Sequence, residues 1–102
     1  MEAEFKKAVR RFLLNNLGQM EQEELDMWLA GEFDLVPLLE PPLKAMSKYR
    51  DQLIRELHQI SPAELLDSLQ REHPELVFSD KDRAMVRIGR ELEAMKAFVI
   101  TL

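Results

Sequence analysis

The stretch Ile60-Ser61-Pro62-Ala63-Glu64-Leu65 constrains the fold of this chain more than any other six residues. Ser61 has an N-cap side chain, Pro62 has the fixed φ that suits a first helical position, and Glu64 stands three residues after the cap, where its carboxylate can reach back to the cap N–H. Ile60 before the cap and Leu65 at the fourth helical position form a hydrophobic staple. Together these features start a helix and fix the angle at which the chain enters it. They carry no chemistry of their own, so the segment reads as scaffold.

Apolar residues recur at helical spacing on both sides of this point. The spacing predicts a helix over 3–17, with Phe5, Ala8, Val9, Phe12, Leu13 and Leu17 on one face, and a second over 21–30, with Leu25, Trp28 and Leu29. Gly18 and Gly31 stand where those helices would stop. Asp34 is expected to cap a single turn through Leu39, ended by Pro41-Pro42, with Pro42 opening a long helix to residue 59. Arg50 falls in the apolar stripe of that helix, which implies a paired or snorkelling side chain. The helix opened by Ser61 ends at His73-Pro74, because a residue before proline is pushed out of the α region. A last helix begins after Ser79 and carries a seam of Met85, Ile88, Leu92, Met95 and Val99. The end "AFVITL" is apolar, and Ile100 and Leu102 are expected to fold back on the bundle, cover a groove or meet a second copy of the chain.

No stretch alternates convincingly with period two. The expected architecture is therefore all-α, a compact bundle of five to six helices, with residues 1–102 as a single helical domain. A chain of 102 residues can bury a core without staples. Cysteine is absent, which excludes disulfides and thiolate chemistry. No apolar run approaches the ~18 residues a membrane span needs. The acidic start Met-Glu-Ala-Glu is unlike a signal or transit peptide, so the expected location is cytoplasmic.

Charge is unevenly placed. Residues 19–43 hold seven acids and no base, while the chain as a whole nets −5, so the remainder nets +2. Within the segment the acids are mixed with Met20, Leu25, Met27, Trp28, Leu29, Phe33 and Leu35, and the breaks at Gly31 and Pro37 leave several of these off any one helical stripe. Mixing of this kind marks segments that bind basic partners. Met27, Trp28, Phe33 and Leu35 are the candidate partner contacts, with Leu25 expected in the core and Phe33 and Leu35 partly exposed. The expected function is a protein–protein interaction module that binds another protein, basic in character, or a second copy of itself.

The alternative is a helical protein that contacts nucleic-acid phosphates. Lys6, Lys7, Arg10 and Arg11 crowd the polar side of the first helix, around an exposed Leu14. Arg83, Arg87 and Arg90 lie opposite the seam of the last helix. Each set also reads as a solvated face, with Glu91 pairing to Arg87 one turn on. A helix-turn-helix is disfavoured, because the connection "HPELVFS" is long and lacks glycine. Catalysis has little support: His58 and His73 fit no metal spacing, and neither a nucleophile elbow nor a phosphate loop occurs. No cofactor and no metal is expected.

Overall fold

In the computed structural model, which describes residues 4–102, the chain forms α1 (Glu4–Gly18), α2 (Gln22–Leu29), α3 (Val36–Ala45), a single 3-10 turn (Ser47–Tyr49), α4 (Arg50–His58), α5 (Pro62–Glu72) and α6 (Lys81–Ile100). The 20-residue α6 is the axis of the molecule, packed on α3, α4 and α5 and touching α2, while α1 lies across α4 and α5. The radius of gyration is 13.4 Å, as expected for one compact domain of about 100 residues. Among the described residues there is no strand, and no helix is long and apolar enough to cross a membrane.

The start of α5 has the expected cap and staple, but the Glu64 carboxylate does not reach back to the Ser61 N–H, so the capping box is half formed. Ser61 Oγ accepts the Glu64 N–H at 3.3 Å, and Ile60 and Leu65 are both buried. Loss of this cap would cost about 1 kcal/mol. The start of α6 is one residue later than expected: Asp80, not Ser79, is the cap, and its carboxylate accepts the Arg83 N–H at 3.0 Å. A carboxylate also suits the positive end of the helix dipole better than a hydroxyl.

Three expectations for residues 34–59 fail. Asp34 caps nothing, because its carboxylate is engaged elsewhere and Leu35 takes the cap position. Pro41-Pro42 does not end the helix either, since α3 runs through both. Pro37, Leu38, Pro41 and Pro42 are all exposed, whereas Val36, Leu39 and Leu43 face the core. The carbonyls left without N–H partners thus face water, where the missing hydrogen bonds are replaced at least cost. Finally, the long helix is two: at Met46 the backbone leaves the helical region (φ −103°, ψ 21°) and the 3-10 turn resets the phase. With the phase reset, Arg50 projects into solvent, with Asp51 3.8 Å away, and the core face of α4 becomes Leu53, Glu56 and Leu57.

Gly18 ends α1 without a left-handed φ; only Gly31 has one, at 80°. What Gly18 supplies is space: a Cβ there would lie 2.2 Å from His73 Nε2. The imidazole ring at the end of α5 rests on the bare backbone at the end of α1. Leu14, expected at the surface, is 2% exposed, because α1 is covered by two helices and its buried arc is wider than one stripe. The buried carboxylate of Glu56 reaches across from α4: Oε1 accepts the Lys6 backbone N–H at 2.9 Å, and Oε2 accepts from Gln52 at 2.8 Å. One of the orphan donors in the first turn of α1 is thus satisfied by another helix.

The connection 73–80 is pinned rather than loose. Leu76 and Phe78 are buried, and the Gln22 amide both donates to the Val77 carbonyl (2.9 Å) and accepts the Val77 N–H (2.8 Å). This connection carries the chain past α2, to which Gln22 ties it. At the C-terminal end, Val99 is fully buried, and Phe98 and Leu102 pack against the core. Ile100 does not fold back; it is 60% exposed.

Candidate functional site

The acidic segment is fastened to α6 by a buried polar network built around Trp28, Arg87 and Glu91. Trp28 is fully buried, and its indole N–H donates to Glu91 Oε2 at 2.9 Å. The same oxygen accepts the Leu35 backbone N–H at 2.7 Å. Arg87 lies over the Trp28 ring, with its guanidinium carbon 4.7 Å from a ring centroid. Its Nε donates to the Trp28 carbonyl at 2.6 Å, and one Nη donates to the Phe33 carbonyl and to Asp34 Oδ1, both at 2.7 Å. Residues 28–35 therefore wrap around two charged side chains of α6, with Gly31 providing the turn.

This arrangement corrects several sequence expectations. Trp28 and Leu35, expected among the partner contacts, are 0% and 3% exposed and belong to the core. Of the other two, Met27 is 41% exposed and Phe33 is partly buried against the core. Leu25 is buried, as its place on the helical stripe implies. Arg87 is not a surface cation, being 5% exposed, and Glu91 does not form the expected solvated pair with it. The reason is angular. Arg87 lies only about 100° around the helix from Ile88, and α6 is covered over a wide arc, so residues flanking the seam are enclosed. The pattern of charges did not reveal this. A usable signal was Trp28 itself, since a buried indole needs an acceptor.

The remaining candidate phosphate contacts are divided. Arg11 pairs with Glu72 at 2.9 Å, and Arg10 donates to Ser68 Oγ at 3.4 Å, as Arg71 also does at 3.1 Å. Both α1 arginines are thus engaged with α5. The hydrogen bond from Arg11 holds the Glu72 carboxyl below its ordinary pKa, against a weaker upward push from desolvation. Lys6 is partly buried, while Lys7, Arg83 and Arg90 are exposed. Arg83 and Arg90 line one shallow groove of α6 with Leu29 and Val86, and Asp80 and Asp82 line it too, which lowers its appeal to phosphate.

The acids of the segment remain at the surface. Glu21, Glu23, Glu24, Asp26, Glu32 and Asp34 are exposed, and Glu40 is partly so. Beside them Met27 and Leu38 are open to solvent, Leu38 at 61%. Between α3 and α6 lies a cavity of about 500 Å³, with Asp34, Glu40, Arg87, Arg90 and Glu91 among its walls. Among the described residues no group of His, Asp and Glu side chains converges as a metal-binding set would. Compared with known proteins, the chain matches no family model, no curated sequence and no solved structure.

Proposed function

We propose that the chain is a protein–protein interaction module that engages a basic partner through the outer surface of residues 20–43. The observation that carries this reading is a segment with seven acids and no base, most of them at the surface, in which Met27 and Leu38 are also exposed. Exposed apolar side chains among polar residues mark interfaces, and an excess of one charge steers an oppositely charged partner. The buried network beneath supports the reading, because a surface held in one shape loses little entropy on binding.

The test is affinity capture with the wild-type chain and with a Glu23→Lys, Glu32→Lys, Leu38→Ala variant. These residues are exposed, so the fold tolerates the changes. The reading expects basic proteins bound by the wild type and lost by the variant, with affinity falling as salt rises. An identical set bound by both would refute it. Sizing of the purified chain distinguishes a partner that is a second copy.

A nucleic-acid reading retains a smaller basis, the exposed Lys7, Arg83 and Arg90. It requires a log–log salt slope that shrinks by roughly one for each of these cations replaced.

A further inference from the structure

From the outer face of α6 we infer a docking surface for a second copy of this chain, whose own α6 lies antiparallel along it. The surface is separate from residues 20–43 and does not rest on the reading above.

The last helix carries two seams. One, through Ile88, Leu92, Met95 and Val99, is buried in the body. The other runs through Arg83, Val86, Arg90, Glu93, Ala97 and Ile100, and every one of these is exposed. Their steps of three and four alternate without a break, as the a and d positions of a coiled coil do. At 3.6 residues per turn they hold one stripe of the helix over about 26 Å, with only a slow drift. Val86 and Ile100 are 57% and 60% exposed. A lone exposed apolar residue is ordinary; here two stand on one seam, and Ala97 beside them is small enough for a second helix to come close.

The charges select the occupant. In an antiparallel pair each a residue faces a d residue of the other helix. With the two-fold axis level with Glu91 and Leu92, Arg90 faces Glu93 of the second copy, Val86 faces its Ala97, and Arg83 lays its alkyl stem along its Ile100. By symmetry each pairing occurs twice, so the centre holds two crossed ion pairs with apolar contacts on either side. Arg90 forms no ion pair among the described residues. The Glu93 carboxylate touches Lys96 through Oε1 and is 74% exposed, so it can accept a further donor. Parallel pairing would instead set Arg90 on Arg90 and Glu93 on Glu93. A partner of one sign would be repelled by one of the two central charges, whereas the seam reversed on itself matches both. The helix is already folded, so pairing orders side chains alone. With only two large apolar residues per copy, the dimer belongs at the weak end of specific interfaces.

The experiment is analytical ultracentrifugation of the whole chain from about 10 μM to 1 mM, a range suited to a weak complex. The average mass should rise from one chain towards two. Arg90→Glu and Glu93→Arg each place like charges at the centre and should weaken association by about tenfold or more. An equimolar mixture of those two variants should recover it, because every central pair is then again of opposite sign. All the substituted residues are exposed, and circular dichroism of each variant checks that the fold is kept. Orientation is read by cross-linking: the chain has no cysteine, so Val86→Cys and Ala97→Cys supply single thiols. Mixed together they should oxidise to a disulfide-linked pair, and Val86→Cys alone should not. The Glu23→Lys, Glu32→Lys, Leu38→Ala variant should associate as the wild type does. A single-chain mass across the whole range overturns the proposal. So does a mixture of the charge variants that stays apart, or Val86→Cys that cross-links to itself as fast as to Ala97→Cys. Loss of association in the Glu23, Glu32 and Leu38 variant would move the contact to residues 20–43 and likewise overturn it.

Discussion

A guanidinium taken out of water needs its N–H groups matched, and Arg87 matches them with the Trp28 and Phe33 carbonyls and the Asp34 carboxylate. No residue on α6 itself supplies these acceptors; the acidic segment does, so the charge of Arg87 holds that segment in place. Truncation would leave Asp34 and two carbonyls without their donor. Asp34 is largely exposed and would be rehydrated, so Arg87→Ala should lower unfolding free energy by about 1.5–3 kcal/mol, the range for lost hydrogen bonds to a charged group, measured by urea denaturation, and Arg87→Lys should recover only part, because an ammonium lacks the fork. A loss below about 1 kcal/mol would place Arg87 among ordinary surface cations. Gly18 makes a second residue-scale case. Gly18→Ala adds helix propensity but drives a Cβ into the His73 ring. In a His73→Ala background the same change should stabilise by up to about 1 kcal/mol; in the wild type it should be neutral or destabilising. Equal effects in the two backgrounds would show that the ring does not occupy that place.

Among the elements, α1 and α5 are joined at their exposed edge by Arg11 and Glu72. The Glu72 pKa is depressed, so the pair's contribution is fully present above the ordinary carboxyl value of 4.5 and is lost as pH falls through the lower folded value. An NMR titration should find the Glu72 midpoint below 4.5, and Arg11→Ala should raise it towards that value; an unchanged midpoint in the variant would remove Arg11 as the cause. The elements also show what a sequence can reveal. The Ser61 cap and its staple were legible because every partner lies within five residues. So were the limits of α1, α2 and α5, to within a residue or two. The path through Pro41-Pro42 was not, because those prolines are tolerable only on a water-facing side, and which side faces water depends on α6. The break at Met46 was hidden for a related reason: the apolar spacing of 43–57 fits one long helix as well as two.

At the scale of the whole molecule, the segment that sets the charge asymmetry is also the one anchored by the buried network. The asymmetry was readable from composition. The network was not, since Trp28 and Glu91 are 63 residues apart and no local pattern links them. Without the network, residues 30–35 would be an irregular acidic loop; with it, they are fixed to the central helix with Glu32 and Asp34 exposed. The most direct test is hydrogen exchange at the Trp28 indole N–H. The account predicts strong protection, approaching that of the α6 backbone, and collapse of that protection in Glu91→Ala while α5 amides remain protected. An indole proton that exchanges freely in the folded wild-type chain would contradict the account.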